Sequence, residues 1–158
     1  MSIRVIGGVA KGRKLKPVPG DGTRPIMDRV KEALFNILGS RVLEARFLDL
    51  YAGTGSVGIE AISRGAEHVT FVENAKAAIQ TIEANLLHVG FDGFAEIVRA
   101  DVRDYLRAAP RDCFELIYVA PPQYRGLWLE TLTLLDVNTD HLCADGWTII
   151  QIDPQEQQ

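Results

Sequence analysis

The sequence predicts an α/β protein built on a doubly wound, mostly parallel sheet, with a small basic hairpin ahead of it. Three observations carry that expectation. From Phe47 onward, short apolar runs alternate with stretches of helical period; a glycine-rich turn follows the first run; and the next two runs end beside acidic residues. Strands of a parallel sheet are covered on both faces by the connecting helices, so they read as continuous apolar segments rather than alternating ones.

The elements follow in order. Residues 3 to 18 alternate short apolar and basic positions around glycines, which predicts a hairpin and then a Pro/Gly-rich connection through Pro25. A helix comes next: Val30, Ala33, Leu34, Ile37 and Leu38 recur at three- and four-residue steps, Asp28 sits in or before the first turn, and Gly39 ends it. Phe47 to Tyr51 is the first strand of the main sheet, followed by a helix from about Val57 to Arg64 and a second strand, Val69 to Val72. Ala75, Ala78, Ile79, Ile82, Leu86 and Val89 form one face of a helix with Asn74 as N-cap and Gly90 after its end. Strands are predicted at Ala95 to Arg99, Phe114 to Val119 and Trp147 to Ile152, with helices near Val102 to Ala108 and Leu127 to Leu135.

A chain of 158 residues that is 47% hydrophobic has material for one core, divided here into a basic arm over 1–24 and a main domain over 25–158. Residues 1 to 46 hold ten Lys and Arg against four Asp and Glu, whereas the remainder holds seven against seventeen. A basic arm on an acidic body points to a polyanionic partner, with a merely solvated, flexible terminus as the alternative. No apolar run approaches the roughly 18 residues of a membrane span, and the basic start lacks a secretory core, so the expected location is the cytoplasm. Cys113 and Cys143 do not form a C-x-x-C pair and His68, His88 and His141 are dispersed, so neither a metal site nor a disulfide framework is expected.

In such a sheet, ligands bind beyond the carboxyl ends of the strands. After the first strand comes Asp49-Leu50-Tyr51-Ala52-Gly53-Thr54-Gly55-Ser56-Val57-Gly58, whose glycines let a ligand approach the backbone at a helix N-terminus. Glu73 follows the second strand, placed to accept both hydroxyls of a ribose, and Asp101 the third, placed to accept from an adenine amino group. The fourth ends in Ala120-Pro121-Pro122-Gln123. The spacing Gly53-x-Gly55-x-x-Gly58 with Glu73 twenty residues on also fits a nicotinamide dinucleotide; the lack of room for a substrate domain and the rigid Pro-Pro turn weigh against that reading.

At these residues the chain resembles the RsmD-like methyltransferases, which modify the exocyclic N2 of a guanine in bacterial 16S ribosomal RNA. The likeness covers nearly the whole chain. It rests on Arg4-Val5-Ile6-Gly7-Gly8 with Lys11-Gly12-Arg13, on Thr23-Arg24-Pro25 followed by Asp28-Arg29-Val30-Lys31-Glu32-Ala33-Leu34-Phe35-Asn36, on Leu48 to Gly55, and on Gly58-Ile59-Glu60-Ala61 with Ser63-Arg64-Gly65-Ala66. It implies a Rossmann-like class I methyltransferase fold and S-adenosylmethionine as cofactor. Asp49, Ala52, Gly53, Thr54 and Gly55 would surround its methionine part, Glu73 its ribose, and Asp101 with Val102 its adenine, while Arg24, Asp28 and Asn36 would border the pocket. Arg4, Lys11, Arg13, Lys14 and Lys16 would hold phosphates of ribosomal RNA or the small ribosomal subunit.

One departure bears on catalysis. Family members carry Asp or Asn, then Pro-Pro-Tyr, where this chain has Ala120-Pro121-Pro122-Gln123. The missing oxygen would accept from the target amine, so its loss costs on the order of 10²-fold in rate unless Gln123 supplies an amide oxygen and Tyr124 the stacking ring. A rearranged working site is the preferred reading; the alternative is a catalytically weak RNA-binding or ribosome-assembly protein that keeps the cofactor pocket. The fold usually closes with two further strands, missing here, so the last sheet edge is expected either to reflect a truncated chain or to associate with another copy.

Overall fold

Five apolar runs become five strands of one parallel sheet, in a computed structural model that describes residues 3–20, 26–122 and 126–151. In chain order the elements are β1 (Ile3–Arg4), β2 (Lys14–Leu15), α1 (Asp28–Leu38), β3 (Arg46–Leu50), α2 (Ser56–Ser63), β4 (His68–Glu73), α3 (Lys76–Val89), β5 (Ala95–Arg99), α4 (Val102–Arg107), β6 (Phe114–Val119), α5 (Leu127–Val137) and β7 (Leu142–Ile150). β1 and β2 pair antiparallel as a separate ribbon. The main sheet runs β5-β4-β3-β6-β7, so the chain reverses direction across the sheet between β3 and β6. That reversal opens a crevice at the carboxyl ends of those two strands.

The central strands are the most buried. Phe47, Leu48 and Leu50 of β3 are 0% exposed, as are Val69, Phe71 and Val72 of β4. Each such side chain contributes roughly 1.5–3 kcal/mol by leaving water. One core cluster joins Phe47, Val69 and Phe71 to α1, α2, α3 and the arm; the other joins Leu48, Leu50 and Val72 to α4 and β6. Gly58 is needed for close packing of helix on strand: a Cβ there would fall 2.3 Å from the Phe71 ring.

The arm is no loose terminus. Ile3, Val5, Ala10 and Leu15 are each at most 7% exposed and belong to the first cluster, so the flexible-terminus alternative fails for the described residues.

Several local expectations are corrected. On α1 the buried positions are Lys31, Leu34, Phe35 and Leu38, whereas Ile37 is 70% exposed and Ala33 is exposed too. The buried stripe is rotated because Lys31 finds a carboxylate inside the protein. The N-cap of α3 is Ala75, not Asn74, since the Glu73 carboxylate takes the backbone N–H groups of Asn74 and Ala75, each at 2.9 Å. β7 starts at Leu142, five residues before the predicted strand, and carries an irregularity: Leu142 faces Phe114 but Trp147 faces Leu116. The extra residues include Asp145, held at φ 65.

That irregularity brings Cys143 to Cys113, and the two form a disulfide with Cα atoms 5.0 Å apart. The expectation of no disulfide is therefore corrected. Thirty residues separate the pair in sequence, and only the adjacency of β6 and β7 makes them neighbours.

Candidate active site

The crevice is built on the turn after β3. Tyr51, Gly53 and Gly55 all take left-handed backbone conformations, at φ 61, 58 and 80. Glycine does this freely, but tyrosine does so only under constraint. The Tyr51 hydroxyl shares a 2.8 Å hydrogen bond with Thr131 of α5, a residue that is 0% exposed. Ala52 N–H donates to the Val72 carbonyl, which docks the turn on β4.

Three carboxylates stand at the ends of β3, β4 and β5. Asp49 is 1% exposed, and its Oδ2 accepts from Gly58 N–H, in the first turn of α2, at 3.1 Å. Burial holds its carboxyl well above the usual range; the Gly58 bond opposes that shift and the nearby Glu73 adds to it. Glu73 accepts from Gly53 N–H at 2.8 Å through Oε1, which ties the glycine turn to the end of β4. With three backbone donors among its acceptor positions, Glu73 keeps one lone-pair position, which corrects the expectation that it accepts from both hydroxyls of a ribose: it has room for one. Asp101 caps α4 by accepting from Arg103 N–H at 2.8 Å, and its other oxygen accepts from Arg103 Nη2 at the same distance. The guanidinium lowers the Asp101 carboxyl to about 2.

Ala120 continues from β6, half-buried against the first core cluster, with Pro121 buried and Pro122 exposed behind it. Tyr118 lies beside Asp49 in the strand register, and burial, reinforced by the Asp49 charge, raises its hydroxyl. Gln123, Tyr124 and Arg24 lie outside the described residues. Asp28 is engaged by Arg4, whose Nε donates to it at 3.0 Å. Asn36 is exposed on α1.

Thus the fold gathers Asp49, Ala52, Gly53, Thr54, Gly55, Glu73 and Asp101 with Val102 at one end of the sheet, beside Ala120 and the prolines. Among the arm cations, Lys11, Lys14 and Lys16 are exposed; Arg4 is spent partly on Asp28, and Arg13 Nη2 donates to the His88 carbonyl at the end of α3, at 2.7 Å. Two contributors escaped the sequence reading. Arg103 occupies Asp101 and lay in plain view two residues downstream. Tyr51 gave no signal, because its left-handed backbone has no marker in residue type.

A cavity of about 320 Å³ lies at the opposite, amino end of the strands, lined by Arg46, His68, Tyr105 and His141 among others. It is remote from the strand ends where this architecture binds ligands.

Comparison with known proteins agrees with the geometry. The family model described as "Conserved hypothetical protein 95" matches residues 3–158. Ribosomal RNA small subunit methyltransferase D of Escherichia coli K12 is 41% identical over 139 residues, covering 86% of this chain and 68% of that protein. YlbH of Bacillus subtilis is also 41% identical, over 96% of this chain and 83% of its own length. This chain belongs to the RsmD family. Among solved structures, yhhF of Escherichia coli superposes with a TM-score of 0.84 at 38% identity, over 98% of this chain and 84% of that one. A protein of Thermus thermophilus does so with a TM-score of 0.81 at 29% identity, over 97% and 87%. The fold is that of a Rossmann-like methyltransferase, which leaves the nicotinamide reading without support.

Proposed function

We propose that this RsmD-family chain transfers a methyl group from S-adenosylmethionine to the exocyclic N2 of a guanine in small-subunit ribosomal RNA. The observation that carries the reading is the convergence at one sheet end: a left-handed glycine turn, a ribose-type carboxylate in Glu73 and an adenine-type one in Asp101, next to the Ala120-Pro121-Pro122 strand end. The donor set fits the cofactor. Glu73 has a lone-pair position left for a ribose hydroxyl. Asp101, with Arg103 on three of its acceptor positions, keeps one on Oδ2 for an adenine amino group, and Val102 offers the adjacent backbone. The cofactor supplies an electrophilic methyl on a sulfonium.

The protein's share of the reaction is positioning, which is worth several kcal/mol when the reacting atoms are aligned. The prolines fix the carbonyl that would accept from the amine, turning the nitrogen lone pair toward the methyl. Lys11, Lys14 and Lys16 would hold phosphates and so place the RNA without reading its sequence. The test is methyl transfer from labelled S-adenosylmethionine to small ribosomal subunits lacking guanine-N2 methylation, followed by nucleoside analysis. N2-methylguanosine is the expected product. Cofactor binding without product would favour an RNA-binding protein of weak activity, a reading that the alanine at position 120 keeps open.

A further inference from the structure

The residues that make this sequence recognisable and that the cofactor site does not use meet in one buried polar joint. Lys31 and Glu60 are both 0% exposed and 3.2 Å apart. Lys31 Nζ also donates to the Arg4 carbonyl at 2.7 Å and to Ser56 Oγ at 2.8 Å, so all three of its hydrogens are used. Glu60 accepts from Ile6 N–H and Gly7 N–H, each at 2.9 Å, and from Arg64 Nε at 2.8 Å. Its four acceptor positions are likewise filled. Ser63 Oγ donates to the Gly7 carbonyl at 2.6 Å and accepts from Ala10 N–H at 2.9 Å, while its own carbonyl accepts from Val9 N–H at 2.8 Å.

These bonds fall on the backbone of the arm, not on its cations. A Cβ on Gly8, at φ +78, would lie 1.9 Å from the Ser63 carbonyl oxygen, so the arm sits flush on α2. A second tether lies on α3. Asn85 accepts from Lys16 N–H at 2.7 Å and donates to the carbonyls of Lys16 and Thr54, each at 3.0 Å. The arm is therefore fixed to the cofactor turn at Arg4, through Lys31 and Ser56, and at Lys16, through Asn85 and Thr54.

A buried ion pair adds little net stability over apolar packing, and its better attested use is to select one arrangement among several. We propose that Lys31 and Glu60 are positioning residues that lock the basic arm in one register against the cofactor turn, so that RNA held by Lys11, Lys14 and Lys16 presents its target base to the methyl. This rests on the reading of the arm as the RNA-holding element.

The test measures steady-state methyl transfer to small ribosomal subunits lacking guanine-N2 methylation, with S-adenosylmethionine affinity measured separately by calorimetry. Three variants are compared: Glu60→Gln, which sets an amide N–H₂ against donors; Ser63→Ala, a milder change that serves if the first does not fold; and the triple change Lys11→Ala, Lys14→Ala, Lys16→Ala. Misplaced substrate predicts a KM for the subunit raised about 10-fold in Glu60→Gln and less in Ser63→Ala, with cofactor affinity within about 2-fold of the parent. A purely structural role would lower the active fraction and the melting temperature but leave that KM alone. If the triple variant raises KM while neither joint variant does, the arm holds RNA and the positioning proposal is overturned. Loss of cofactor affinity in parallel with the rise in KM would also overturn it, since the joint would then act on the turn. An unchanged KM in the triple variant removes the RNA-holding arm, and this proposal with it.

Discussion

At the scale of single residues, Asp49 shows how a site is held at the expense of stability. Its folded-state carboxyl is raised above the ordinary value by burial, so the folded protein binds this proton more readily than the unfolded chain does. Stability then falls as pH rises from the ordinary carboxyl range through the raised folded value, and stays reduced above it. Asp49→Asn removes that dependence and can keep an oxygen toward Gly58 N–H, so its melting temperature is expected to exceed the parent's at neutral pH and to converge with it in acid. Melting curves across pH check this; a variant less stable than the parent at neutral pH would show that the charge is compensated. Asp101 has the opposite sign: the lowered carboxyl adds stability that is present above the ordinary range and lost as pH falls toward about 2. Ala120 concerns rate instead. If the site lacks only an acceptor for the target amine, Ala120→Asp raises methyl transfer to the subunit by about 10²-fold; single-turnover assays decide, and an unchanged rate means that another group already accepts.

At the scale of elements, much of the fold could be read because helix and strand periods are written in apolar spacing. β5 and β6 fall where their apolar runs predict, and α1 ends at the glycine expected to end it. What could not be read depends on contacts between distant segments. The buried face of α1 departs from its apolar spacing because a lysine normally marks the solvent side, and only a carboxylate arriving from α2, 29 residues later, makes Lys31 an inside residue. The Cys113–Cys143 bridge is of the same kind, since it needs the extra residues at the start of β7 to turn one sulfur toward the other. Closing a loop of this length stabilises by about 3–4 kcal/mol on the chain-entropy model. Cys143→Ser is therefore expected to melt lower than the oxidised parent, and the reduced parent to fall toward the variant. Thermal melts with and without reductant, paired with thiol titration, check it; two reactive thiols in the untreated protein would show that the pair is unbridged.

Across the whole molecule, charge is divided between segments rather than balanced: the basic arm faces out through Lys11, Lys14 and Lys16, while the acidic body gives the chain its net charge of −4. A protein acidic overall should be repelled by RNA at long range, so binding depends on the arm lying within about a Debye length of phosphate, roughly 8 Å at physiological ionic strength. Such contacts release counterions, and on single strands each contributes about 0.7 to the slope of log affinity against log salt. Replacing Lys11, Lys14 and Lys16 by alanine is expected to flatten that slope by about 2, weakening binding most at low salt and bringing variant and parent together at high salt. Titrating labelled RNA at several salt concentrations measures it. Equal slopes in variant and parent would mean that phosphate is held elsewhere, for which Arg4 and Arg13 are poorly placed, each having given a side-chain donor to the protein itself. A flattened slope with unchanged cofactor affinity would assign holding of the polyanion to the arm and chemistry to the sheet end, two tasks joined through α1, α2 and α3.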